Sequence, residues 1–198
     1  MSLRFFFLCV FGALSTEELR EFEVIEQIFS FPTTLEVRGN LDRIATVRQD
    51  WLVFPPTFSL EDSEGNTLAT AVYRMNPLIL IADIFDKDGS LLATIEEEIL
   101  RILPWAKYKL FSPTGEHIAT AEMNVWGTQF DLASPSNQLY ASLWRPFFRL
   151  GRDHWKVEIY EEGRIDFSLV VFLTIFQTTR DERRNHTNDL LSLLPVAS

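Results

Sequence analysis

Between Ile165 and Phe176 the chain offers no polar face: Ile165-Asp166-Phe167-Ser168-Leu169-Val170-Val171-Phe172-Leu173-Thr174-Ile175-Phe176. As a helix this stretch is apolar on every side, and such a helix is either enclosed by protein or lies in a membrane. The run is much shorter than the roughly 20 residues that cross a bilayer, so enclosure is the expectation. A core strand is the competing reading, because a short apolar run rich in Val, Ile, Thr and Phe is ambiguous by pattern alone. The residues that follow favour the helix. Gln177 to Arg184 continues without Gly or Pro, and Arg180, Arg183 and Arg184 share one helical face, where cations suit a helix C-terminus. Asp166 stands where an N-cap is needed. A helix is therefore predicted over 165–184, with Phe167, Val170, Val171, Phe172, Leu173 and Phe176 as its core residues.

Something must enclose that helix, and the preceding chain repeats itself. A phrase of apolar residue, Ala, Thr or Ser, apolar residue recurs as Ile44-Ala45-Thr46-Val47, Leu68-Ala69-Thr70-Ala71, Leu92-Ala93-Thr94-Ile95, Ile118-Ala119-Thr120-Ala121 and Tyr140-Ala141-Ser142-Leu143. The starts are 24, 24, 26 and 22 positions apart. Each phrase follows a turn signal: Gly39-Asn40, Glu64-Gly65-Asn66, Asp88-Gly89-Ser90, Thr114-Gly115-Glu116 and Pro135-Ser136-Asn137. Alternating runs such as Ile81-Ala82-Asp83-Ile84-Phe85-Asp86 precede most of the turns. The unit is strand, tight turn, strand, with Gly supplying the positive φ such turns demand. Trp155 to Tyr160 opens one more unit, whose second strand is replaced by the apolar run. Two strands per unit are too few for a propeller blade. A row of hairpins with bare edges would aggregate, so closure into a barrel is the economical arrangement. The apolar helix then fills the interior.

Composition narrows the function classes. The 198 residues fit one domain, and 46% hydrophobic residues suffice for a sizeable core. A net charge of −10 argues against duplex nucleic acid as a partner. The single cysteine, Cys9, permits neither an intrachain disulfide nor a Cys-based zinc cluster, and mildly favours a reducing compartment. The apolar stretch Phe5 to Leu14 has the basic and small flanking residues of a short signal peptide. The reading taken is a hydrophobic lead or first strand, with a signal at 1–15 left open and a cytoplasmic or membrane-peripheral location expected. Ser15 as cap with Glu18 three residues on predicts a short helix ending near Phe22.

The order of these features, repeated hairpins with Asp-Gly-type turns, then Phe148-Arg149-Leu150-Gly151-Arg152-Asp153-His154-Trp155-Lys156-Val157, then Asp166 to Leu173, resembles the LURP-one-related family. That family belongs with the tubby C-terminal and phospholipid scramblase superfamily. The resemblance covers residues 25–185, and its specificity lies in the order rather than in any single motif. It implies a closed antiparallel barrel of about twelve strands around a buried hydrophobic C-terminal helix. Residues 1–24, an apolar lead with the short helix, and the tail 186–198 depart from the pattern. In the tubby branch basic residues on the barrel bind phosphoinositide, but those positions do not map onto this chain one by one. The transmembrane end and calcium-binding segment of the scramblase branch have no recognisable counterpart here.

Candidate chemistry is sparse. Asp83 to Gly89 suggests a calcium loop, but Ile84 and Ile95 occupy positions that need carboxylates, so a strand ending in an Asp-Gly turn is the better reading. Glu96 and Glu98 share a strand face and read as solvated. His117, His154 and His186 show no ligand spacing, and neither a Ser-nucleophile elbow nor a phosphate-binding Gly-rich loop is present. No cofactor is implied. Arg145, Arg149, Arg152 and Lys156 fall in one segment with Trp144, Phe147, Phe148 and Trp155, a mixture that suits a lipid headgroup or membrane interface. The bland alternative is arginines snorkelling over an apolar core. The chain is therefore read as a non-enzymatic binding module for an anionic membrane surface or a protein partner. The alternative is a small-ligand carrier, or an enzyme with a site in a barrel cavity.

Overall fold

A computed structural model of the chain describes residues 20–27, 34–40, 42–50, 52–74, 79–98, 106–147, 153–160 and 164–192, with helix side chains described through Asp181. Twelve strands form one closed antiparallel barrel. They are β1 (Glu21–Glu26), β2 (Thr34–Gly39), β3 (Asp42–Asp50), β4 (Thr57–Asp62), β5 (Thr67–Arg74), β6 (Ile81–Asp86), β7 (Leu91–Glu97), β8 (Lys107–Phe111), β9 (His117–Met123), β10 (Gln129–Ala133), β11 (Leu139–Trp144) and β12 (His154–Ile159). Each strand pairs with its sequence neighbours, and β1 closes the ring on β12 with Val24 opposite Trp155. The helix α1 (Phe167–Ser192) follows and runs inside the barrel.

The repeated phrase has a geometric meaning. In all five copies the alanine points inward: Ala45, Ala69, Ala93, Ala119 and Ala141 are fully buried. The apolar residue before each alanine sits at a register shift, a β-bulge, and packs only partly against the core. A bulge bends its strand and increases its twist. Five bulges at equivalent points therefore curl the sheet toward closure. Four of the hairpins, β4–β5, β6–β7, β8–β9 and β10–β11, close through three-residue loops, whereas Gly39 pairs with Asp42 across a two-residue loop between β2 and β3. In the β4–β5 turn Gly65 N–H donates to Asp62 O while Asp62 N–H donates to Asn66 O, and Gly65 takes φ +89°. This is a type I turn followed by a left-handed residue. The Asp62 carboxylate accepts from the backbone N–H of Glu64 and Asn66, and its hydrogen bonds, the Asn66 side chain first, hold it below the ordinary carboxylate range. Asp86 accepts from Asp88 and Ser90 in the same way, which accounts for the acidic run that resembled a calcium loop.

Barrel size explains the small residues. Twelve strands about 4.8 Å apart, tilted near 40°, give a backbone radius of roughly 12 Å. A helix with its side chains takes up about 5–6 Å of that radius. The remaining shell is too thin for large residues from both sides everywhere. Alanines line the wall, and Phe172 and Phe176 project from the helix, the two rings stacked 6.4 Å apart and Phe176 also 5.0 Å from Tyr73. From Ser168 to Thr178 every helix residue is buried, so the helix is enclosed on all sides. Val170, Val171, Phe172, Leu173 and Phe176 are at most 1% exposed, while Phe167 at the entrance is half-buried and packs edge-on to Phe22. Asp166 caps the helix by accepting from Ser168 N–H. The helix continues past the expected end at 184 to Ser192, since no Gly or Pro intervenes before Pro195.

The N-terminal expectation needs one correction. Glu21 and Phe22 belong to strand β1, not to a helix. The alternation of buried Phe22 and Val24 with outward Glu21 and Glu23 suits a strand, and pairing with β12 and β2 outweighs the local capping signal. Phe5 to Leu14 lies outside the described residues. Because β1 begins at Glu21, a chain starting at Thr16 is expected to unfold within a few degrees of the full chain in a thermal melt. Loss of the cooperative transition would make the lead part of the barrel.

Candidate functional site

The barrel has two unlike ends. Antiparallel order places the connections after β2, β4, β6, β8 and β10 at one end, the turn end, where the helix also enters. The connections after β1, β3, β5, β7, β9 and β11 lie at the other, the loop end, through which the helix leaves.

A buried ionic lock closes the loop end. Arg145, just after β11, donates to Asp153 before β12 at 3.0 Å and to Asp181 on the helix at 2.7 Å, and its Nε donates to Gly127 O at 2.9 Å. Its guanidinium also stacks 4.3 Å from the centre of the Trp155 ring. Thr178 donates to Asp153 and Gln177 to Asp181. Beside it Arg180 Nε donates to Glu97 at 2.7 Å, and Glu97 accepts the backbone N–H of Leu80 at 2.9 Å. Burial, with the Glu97 charge nearby, pushes the Tyr108 phenol well above its ordinary value. Buried charges persist only when paired and hydrogen-bonded. Here the pairs join the helix to β7, β11 and β12, so they set the depth and rotation of the helix in the barrel.

This geometry redistributes the four basic candidates. Arg145 is not a surface residue: its side chain is 2% exposed and committed to two carboxylates, so it offers no contact to a headgroup. Arg149 and Arg152 lie outside the described residues. Lys156 is exposed on the outer wall of β12, with Nζ 3.8 Å from Glu23, which His154 also approaches at 3.1 Å. Of the aromatics in the segment, Trp155 is buried, while Trp144 and Phe147 are exposed and Phe148 lies outside the described residues. Of the two candidate cations among the described residues, Arg145 is inside the barrel and Lys156 on its outer wall. Sequence reading also missed Glu97. It lies two residues beyond the inward Ile95 and so faces the interior, which requires a cation on the helix.

Around Lys156 the outer wall forms a shallow groove of about 490 Å³. Outward residues stand in a row across four strands, Trp144 opposite Lys156, Lys156 opposite Glu23, and Glu23 opposite Arg38. Glu21 and Glu158 face each other in the next row. The groove mixes three carboxylates with two cations and one indole. Among the described residues no group of three or more His, Cys, Asp or Glu is placed to hold a metal ion. No described helix is long and apolar enough to cross a membrane, a statement that does not bear on strands.

Comparison with known proteins agrees with the fold. The family model described as LURP-one-related matches residues 20–176. A search of curated proteins finds no match. Among solved structures, the X-ray structure of a protein from Arabidopsis thaliana superimposes with a TM-score of 0.57 at 13% identity, covering 81% of this chain and 91% of that one. At that identity the likeness concerns the fold alone.

Proposed function

Because the chain belongs to the LURP-one-related family, we propose that it is a non-catalytic binding module that recognises its partner on the outside of the barrel. One observation carries this reading. The interior, where a barrel of this kind would hold a small ligand, is filled by the chain's own helix from Ser168 to Thr178. A ligand carrier in a central cavity is thereby disfavoured, and recognition falls to the outer wall and the rims. An anionic membrane surface is the leading partner. Lys156 stands exposed beside Trp144, and Arg149 and Arg152 belong to the same connection by sequence. Each basic residue near an anionic surface contributes about 1 kcal/mol, decaying over a Debye length of about 10 Å at 0.1 M salt. With Arg145 withdrawn into the lock, three cations remain to oppose a net charge of −10. A protein partner is the second reading, favoured by Leu52 and Phe54, each 76% exposed on the β3–β4 connection.

Co-sedimentation with phosphatidylserine-containing and purely phosphatidylcholine vesicles tests the choice. The expected result is stronger binding to the anionic vesicles that weakens as salt is raised. Equal binding to both, or none at low salt, would remove the anionic-membrane reading and leave the protein partner.

A further inference from the structure

Besides Leu52 to Phe54, the most exposed large apolar side chains in the described residues gather at one corner of the loop end. Val125 and Trp126 on the β9–β10 connection are 73% and 70% exposed, and Phe147 after β11 is 60% exposed. The two connections are neighbours at the loop end, and the Trp126 and Phe147 rings meet edge-on, 6.4 Å between centroids. Trp144, 39% exposed, continues the patch down the outer wall toward Lys156. The four side chains are uncharged, in a chain with ten more acids than bases, and the carboxylates beside Trp144 are those of the groove it shares with Lys156. The turn end is the opposite case, with Asp62, Glu64, Asp86, Asp88 and Glu116 on its hairpins.

We infer that this corner of the loop end, Val125, Trp126, Phe147 and the adjoining Trp144, is a bilayer-insertion site that seats the barrel obliquely on a membrane. The inference rests on the membrane reading above and names the residues that enter the lipid. Three features choose a bilayer as the occupant. First, Trp and Phe with a neighbouring Lys match the chemistry of the membrane–water interface, where aromatic rings sit at headgroup depth and cations reach phosphate. Second, the patch exposes roughly 400–500 Å² of side chain, from the usual size of aromatic residues. A stable protein–protein interface needs about 800 Å² from each partner, whereas insertion into lipid has no such minimum. Third, the side chains of the corner are themselves uncharged while the hairpin turns of the other end carry Asp62, Glu64, Asp86, Asp88 and Glu116, so tilting this corner toward an anionic surface carries those acidic turns away from it. The tilt is required because the helix leaves through the same end and continues to Ser192. A bilayer lying flat across the rim would bury that polar continuation, with Glu182, Arg183, Arg184 and Asp189 in its sequence. Docking at the β9–β12 corner leaves it in water. It also leaves Leu52 and Phe54 dry of lipid, because the β3–β4 connection is on the opposite side of the ring.

The test compares the full chain with Trp126→Ala/Phe147→Ala and with Leu52→Ala/Phe54→Ala on phosphatidylcholine–phosphatidylserine vesicles at low salt. Thermal melts confirm that both variants fold, as expected for residues this exposed. The expected result is binding at least ~10-fold weaker for the Trp126/Phe147 variant, from the apolar surface removed, and unchanged binding for the Leu52/Phe54 variant. As a second measurement, lipids brominated in the acyl chain should quench fluorescence in the native chain and much less in Trp126→Phe/Trp144→Phe, which keeps an aromatic ring at both positions and still inserts. Native binding retained by the Trp126/Phe147 variant, or lost equally in both variants, would overturn the insertion site while sparing the membrane reading. No vesicle binding by the native chain would overturn both.

Discussion

Phe172→Asp is expected to abolish folding. Phe172 is fully buried in the middle of the helix, stacked on Phe176 and surrounded by the barrel wall. A carboxylate there has no partner and no route to water, since every helix neighbour from Ser168 to Thr178 is buried as well. An isolated buried charge costs more than the ~5–15 kcal/mol margin of an ordinary domain, even when part of the cost is avoided by protonation. Loss of the strand signal in circular dichroism and insoluble expression are the outcomes to look for. Soluble Phe172→Asp protein with a cooperative melt would place the helix outside the barrel. Phe172→Leu is the companion variant and should fold, at a cost of about 1–2 kcal/mol for the smaller side chain.

The second large effect concerns Arg145. Arg145→Met removes the cation shared by Asp153 and Asp181 and leaves both carboxylates buried. Breaking a buried pair from one side typically costs about 3–5 kcal/mol. Lys156→Met, which removes an exposed cation 3.8 Å from Glu23, should change stability by no more than about 0.5 kcal/mol. Urea unfolding of the two variants separates the lock from the surface. The triple variant Arg145→Met/Asp153→Asn/Asp181→Asn should regain most of the loss, because the two buried carboxylate charges are removed together with the cation. Equal, small effects at Arg145 and Lys156 would mean that Arg145 is not in the interior.

The contrast between these two residues also shows what the chain reveals before it folds. The barrel was readable because its signals are local and repeated: a Gly or Asn at each tight turn, and an alanine four to six residues beyond it that must face inward. The helix was readable because a segment without a polar face has few places to go. The bulges were not, since a bulge is a relation between two strands, and Leu68 beside Ala69 looks like any other pair of apolar neighbours. Nor was the lock. Arg145 alternates with the inward Leu143, so parity alone pointed it inside. What allows an arginine there is Asp181, 36 residues later on the helix, together with Asp153. Counting Arg145 with Arg149, Arg152 and Lys156 as one basic cluster rested on closeness in sequence, and the interior separates it from Lys156. Glu97 was hidden for the same reason, because its partner Arg180 lies 83 residues away. The exposed corner at Trp126 and Phe147 joins two connections that only the ring order brings together.

Hydrogen exchange tests most directly whether the helix is the core of this barrel. If the barrel closes around α1, the amides of Val170 to Phe176 can open only when the barrel opens. They should exchange with the free energy and urea dependence of global unfolding, matching Leu60, Ile84 and Ile95 on the wall. Helix amides that exchange through a lower-energy opening, with little urea dependence while those strands stay protected, would show a helix that leaves a self-sufficient barrel and would contradict the account.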